Sequence, residues 1–181
     1  MLDGDEKSII KSAIDGEASA FGSLYDKYHS KIYRFIYLKV SHREEAEDLA
    51  HQVFLNAWQN ISKYKFQGLP FSSWLYQIAR NQVIDHYRTK KVTVNLEIIE
   101  EIFISDYSVD KEVGSILELE TARKAILKLN QEQQDIIIMR FVEDLSPKEI
   151  SQTLGKPEST IRVLQHRAIQ NLKKILKNES T

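Results

Sequence analysis

The chain has 181 residues, with 25 Lys/Arg against 26 Asp/Glu, a net charge of −1, and no cysteine. This length suits one domain or two small ones, and the lack of cysteine excludes disulfides and thiolate metal sites. No run of about 18 apolar residues occurs, so no segment inserts directly into a membrane. The acidic opening from Met1 to Glu6 lacks the basic and apolar parts of a signal peptide, and a cytoplasmic protein is expected.

Charge is unevenly spread. Residues 1–92 carry a net +2, residues 93–120 a net −7 and residues 121–181 a net +4. Two mildly basic blocks therefore flank an acidic connector. Glycine and proline are few, at 6 and 3 residues. Good helix formers dominate, so an all-α fold is expected.

In chain order, helices are expected near 6–15 and at 18–40. The second puts Phe21, Leu24, Tyr25, Tyr28, Ile32, Phe35 and Ile36 on one stripe. A third helix is expected to open on a capping box, Ser41-x-x-Glu44. Its apolar positions run Ala46, Leu49, Ala50, Val53, Phe54, Ala57, Trp58, Ile61. Gly68 and Pro70 mark a loop over 63–73.

The stretch from Phe71 to Lys91 carries the most information. Leu75, Ile78, Ala79 and Val83 share one helical face, and Gln77, Asn81, Ile84 and Arg88 share the other. Phe71 and Trp74 precede the helix, and Lys90 and Lys91 end it. An outward amide, guanidinium and lysines suit nucleic acid. The two aromatics can stack on or brace an unpaired base. A core helix with a solvated basic end is the plainer reading.

The connector reads as a linker over 93–114. Beyond it, helices are expected at 115–129 and from an Asn130 start to about 142. Ser146-Pro147-Lys148-Glu149 then combines an N-cap, a proline at the first helical position and a capping box. Gly155-Lys156-Pro157 turns the chain into a last helix at 158–176. Short helix, tight turn and longer helix make a helix-turn-helix. Ile161, Leu164, Ala168, Leu172 and Ile175 face inward. Ser159, Arg162, Val163 and His166 face outward, with Thr160 and Arg167 beside them. Arg and short hydroxyl side chains can contact guanine edges and phosphates in a major groove.

Two patterns carry a resemblance. F-S-S-W-L-Y-x-I-A-R-N-x-x-I-D-x-x-R resembles the promoter −10 reading segment of bacterial sigma factors of the extracytoplasmic-function class. L-S-x-x-E-I-x-x-x-L-G-x-P-x-S-T-I-R-x-L-x-H-R-A resembles the −35 reading domain of the same class. Asp15-Gly16, Ala20-Phe21, Leu24-Tyr25 and Tyr28 are similar to the class's opening helices. Glu44–Ala50 with Phe54-Leu55 and Ala57-Trp58 is similar to its polymerase-clamp helix. The matches run in order over nearly the whole chain except the connector. Departures are His51-Gln52 and Asn56 in the clamp helix, and Val163-Leu164-Gln165 in the last helix.

The resemblance implies a two-domain sigma factor: 1–92 for polymerase binding and −10 recognition, 93–114 as linker, and 115–181 for −35 recognition. It implies core RNA polymerase and promoter DNA as partners, and often an anti-sigma factor, which can hold the protein at the membrane. It assigns Glu47, Asp48 and Gln52 to the clamp. Asn81, with the loop 66–74, captures a flipped base, while Arg80, Arg88, Lys90 and Lys91 hold phosphate. No catalytic arrangement, small-molecule substrate, cofactor or metal site is expected; the acids Glu44, Glu45, Glu47 and Asp48 suit a first helical turn. Two other readings are a stand-alone helix-turn-helix regulator that binds duplex DNA as a dimer, and a protein-interaction module with no role at DNA.

Overall fold

The computed structural model describes residues 4–65, 69–90 and 121–179, all built on helices and turns. Lys91, Phe66 and the expected linker at 93–114 lie outside the described residues.

The first half holds four α-helices: α1 (Gly4–Ile14), α2 (Ala18–Val40), α3 (Arg43–Asn60) and α4 (Phe71–Lys90), with a 3-10 turn at Ile61–Lys63. The expected stripes face inward. Leu24, Tyr28, Ile32, Phe35 and Ile36 of α2 are buried, as are Ala46, Ala50, Val53, Phe54 and Ala57 of α3. Glu6 is buried too, and it accepts a hydrogen bond from the Tyr28 hydroxyl.

The junction of α2 and α3 departs from expectation. Ser41 does not cap α3. It ends α2 in the left-handed region, at φ 60°, and its N–H donates to the Tyr37 carbonyl at 2.8 Å. His42 stands at the N-cap of α3, and its side chain makes no capping bond. Only two residues separate the helices, so the residue that stops one cannot also start the other. The Ser41 hydroxyl is buried without a hydrogen-bond partner.

The second half contains α5 (helical over 121–127), α6 (Gln131–Ile137), α7 (Pro147–Leu154) and α8 (Glu158–Glu179). Asn130 caps α6 by accepting from the Gln133 N–H at 2.9 Å. The helix expected to reach 142 does so, but its last turn, Ile138–Val142, is wound as a π-helix. The capping box at Ser146 and Glu149 forms in both directions, and Gly155 closes α7 at φ 64°. Among the described residues, only there and at Gly16, with φ 96°, does a glycine take up a conformation that side chains rarely adopt.

The two halves pack against each other. α4 lies along α7, and α2 meets the π-turn. One cluster of buried apolar residues extends from Ile10 through Ile136, Ile138 and Met139 to Ala168.

Candidate nucleic-acid and polymerase interfaces

α4 forms because Leu75, Ala79 and Val83 point to the core and are fully buried, with Ile78 beside them. Its start is fixed by rings. Phe71 lies 5.4 Å from Tyr64, 5.5 Å from Trp74 and 5.8 Å from Tyr28, between ring centroids. The Tyr64 hydroxyl donates to the Leu69 carbonyl at 2.7 Å. Burial, with Glu6 adding to it, pushes the Tyr64 phenol up to about 12, so it stays a donor.

The two aromatics of the expected base-binding site therefore differ. Phe71 is 0% exposed and cannot offer its face to a base. Three neighbouring rings enclose it. Trp74 is only partly buried. Asn81 and Arg88 are exposed, and Arg88 lies 3.1 Å from Asp85 on the same helix.

Three other residues of α4 meet the second half. Gln77 Nε2 donates to the Gln152 carbonyl at 3.2 Å. Ser73, 0% exposed, points its hydroxyl at the Glu149 carbonyl. Arg80 Nε donates to Asp135 Oδ2 at 2.7 Å. The other Asp135 oxygen accepts from Lys39, whose side chain is as fully buried as that of Asp135. Burial pulls the Lys39 ammonium below its ordinary value, against the opposing attraction of Asp135. Gln77, Arg80 and Asn81 form one wall of a cleft of about 230 Å³; Thr153, Leu154 and Gly155 form the other.

A second anchor lies beside the first. Arg34 grips Glu143 with Nε to Oε1 at 2.6 Å and Nη2 to Oε2 at 2.9 Å. This two-bond fork is the strong form of such a pair. The Tyr76 hydroxyl donates to Glu143 Oε2 at 3.2 Å, and burial followed by the Glu143 charge raises the Tyr76 phenol above its ordinary range.

α8 presents the opposite case. Ile161 and Ala168 are fully buried, and Leu164, Leu172 and Ile175 pack against the core. Ser159, Arg162, Val163, His166 and Arg167 are exposed, with Thr160 partly so. Val163 is 50% exposed, an apolar side chain in the centre of a polar face. Arg162 approaches Glu158 at only 4.0 Å, a loose surface pair.

On α3, Asp48 and Gln52 are exposed and Glu47 is partly buried. Arg43 Nε donates to Glu47 Oε1 at 2.8 Å across one turn. Leu55, one turn beyond Gln52, is 49% exposed.

Sequence patterns gave no warning of Lys39, Asp135 and Glu143. Each is an ordinary charged residue until a helix from the other half meets it. A lysine in the apolar run Tyr37-Leu38-Lys39-Val40 is the only hint. Among the described residues no group of three or more His, Asp or Glu has the arrangement of a metal site, and no helix is long and apolar enough to cross a membrane.

Two family models match: sigma-70 region 2 over residues 24–93, and sigma-70 region 4 over residues 125–174. This chain belongs to the sigma-70 family. It is similar to the ECF RNA polymerase sigma factor BldN of Streptomyces coelicolor, at 34% identity over 174 residues; the match covers 95% of this chain and 66% of BldN. It is also similar to the ECF RNA polymerase sigma factor SigW of Bacillus subtilis, at 31% identity, covering 95% of this chain and 97% of SigW. Among solved structures, the fold is shared with CnrH in complex with the cytosolic domain of CnrY, at a TM-score of 0.75 and 20% identity over 97% of this chain and 99% of that one. RpoE of Bartonella quintana, solved with the anti-sigma factor NepR, gives a TM-score of 0.70 and 21% identity over 87% of this chain and 96% of that one. The chain is thus an extracytoplasmic-function sigma factor, a transcription initiation factor. A stand-alone regulator is not favoured, because the match includes region 2 as well as the helix-turn-helix.

Proposed function

We propose that this sigma factor divides its work among three faces. Residues 1–92 act at the polymerase clamp and the −10 element, 93–114 link the domains, and 115–181 act at −35. Glu47, Asp48 and Gln52 on α3 contact core RNA polymerase. Asn81 and Trp74 hold an extruded −10 base, with Phe71 as the buried support of the Trp74 ring. Gln77, Arg80, Arg88, Lys90 and Lys91 line the path of the strand. Ser159, Thr160, Arg162, Val163, His166 and Arg167 meet the −35 major groove.

The observation that carries this reading is the pairing, in one chain, of a helix-turn-helix with an open Arg/His face and a second helix whose amide and guanidinium groups follow an aromatic brace. An amide has both donor and acceptor, which reading a base edge requires. The role is non-catalytic and cytoplasmic. Its regulatory partner is an anti-sigma factor, the kind of partner with which RpoE of Bartonella quintana was solved.

Asp48→Arg tests the clamp assignment. Asp48 is exposed, so the change costs under about 0.5 kcal/mol of stability. Affinity for core polymerase should fall about tenfold, which is about 1.4 kcal/mol. Unchanged affinity would remove α3 from the interface. In mobility shifts, the free protein should bind promoter duplex poorly and gain specificity on joining core enzyme. Tight sequence-specific binding without core would restore the simple-regulator reading.

A further inference from the structure

We propose that Val163 is a thymine-reading residue: its apolar tip meets the 5-methyl group of one thymine in the −35 major groove and sets a preference for a T·A pair there. This rests on the reading of α8 as the −35 helix and adds the class of base that one of its residues selects.

Three observations support it. First, Val163 is 50% exposed, so packing within the protein does not require it. It lies two residues after the fully buried Ile161, about 160° round the helix from it. Helix formation does not favour it either, because a β-branched side chain is a weaker helix former than alanine. Second, its neighbours on the helix surface are polar. The residues one turn before and after it are Ser159, Thr160, His166 and Arg167. Ser159, His166 and Arg167 are exposed and Thr160 partly so. All four belong to the face proposed to meet DNA, so a duplex seated there also covers Val163. Third, Val163 lies in the second turn of α8, which starts at Glu158. That is the end from which a recognition helix reaches base edges.

Chemistry then selects the base. Valine has neither donor nor acceptor. A base edge that sets an oxygen, a ring nitrogen or an amino group against it gives up water and gains no hydrogen bond. The apolar group that the major groove offers is the thymine methyl. Methyl against methyl buries apolar surface and leaves no polar group unpaired. Valine also holds essentially one side-chain conformation in a helix, so little freedom is lost on contact. Val163 stands where this chain departs from the pattern of its class, and the preference is therefore a property of this chain.

The test uses core polymerase carrying the full chain. Duplexes randomised across the promoter region are selected by binding, and sequencing of the bound fraction gives the −35 sequence. Deoxyuridine, which lacks only the 5-methyl group of thymidine, then replaces each −35 thymine in turn on either strand. One replacement should weaken binding about fourfold, the effect of one buried methyl. Val163→Ala, a surface change to a better helix former, leaves the fold intact. It should bind the thymine and uracil duplexes equally at that position. A −35 sequence without thymine, uracil tolerated at every position, or a penalty that Val163→Ala retains each overturns the proposal. Arg162→Ala separates this from a failure of the underlying reading. If it shifts a −35 preference while no methyl matters, α8 stands as the −35 helix and the role of Val163 falls. If neither substitution changes any −35 preference, both fall.

Discussion

α4 and α8 are built alike and displayed differently. Each has an apolar stripe against its own half and a polar, basic face opposite. On α8 that face is open, with Arg162, His166 and Arg167 exposed. On α4 it is partly covered, with Arg80 held by Asp135 and Gln77 by the Gln152 carbonyl, while Asn81 and Arg88 stay exposed. Amphipathic patterning thus specifies which residues face away from a domain, but not whether another domain covers them. The polar face of α8 is open as it stands, and that of α4 is open only in part.

The covered side can be broken at one residue. Asp135→Leu leaves Lys39 buried without a counter-charge, which typically costs about 3–5 kcal/mol. The loss should appear in urea titrations as separation of one unfolding transition into two, because Asp135 joins the halves. Replacing the pair together, Lys39→Met with Asp135→Leu, should recover most of the loss, since apolar substitutes for a buried pair are often neutral or better.

The open side can be sharpened by comparing two arginines. Arg162 lies near the start of α8, where residues of a helix-turn-helix reach base edges. Arg162→Ala in the polymerase complex should cost about 1–3 kcal/mol at one −35 position and relax preference there. Arg167→Ala should weaken all sequences alike and reduce the salt slope by about one unit. Salt-dependent binding to single-base −35 variants separates the two. Equal losses on every variant would take base reading away from Arg162.

These effects bear on what the sequence disclosed. Local grammar was legible. The stripe Leu75, Ile78, Ala79 and Val83 turned inward, and the capping box of Ser146 and Glu149 formed as its spacing required. Ser41 misled because a capping pattern cannot reveal that the same residue must first end the preceding helix. Phe71 shows a related limit, since the sequence left stacking and bracing both open. An aromatic at a helix start suits stacking on a base, yet Tyr28, Tyr64 and Trp74 close around it. Lys39 and Asp135 were illegible for a simpler reason. They lie 96 residues apart, and no periodicity links them.

A smaller effect comes from a surface outside both helices. His29 stacks on Tyr25 at 4.7 Å and lies 6.1 Å from His51. Burial, followed by the neighbouring His51, lowers its pKa from 6.5. Near that pH the unfolded chain takes up a proton that the folded protein resists. Stability should therefore be full above 6.5 and decline as pH falls from 6.5 towards the lowered value. His29→Gln should flatten this decline in urea titrations across that window. It should do so without altering DNA binding, since His29 lies on neither of the helices proposed to contact DNA.

The central claim is that α4 captures a promoter strand once core polymerase has joined the chain, and Asn81 tests it most directly. It is exposed at the rim of the cleft. Polymerase reconstituted with Asn81→Ala should retain its −35 contacts and lose permanganate reactivity of thymines around −10. Equal strand opening by variant and parent would contradict the account.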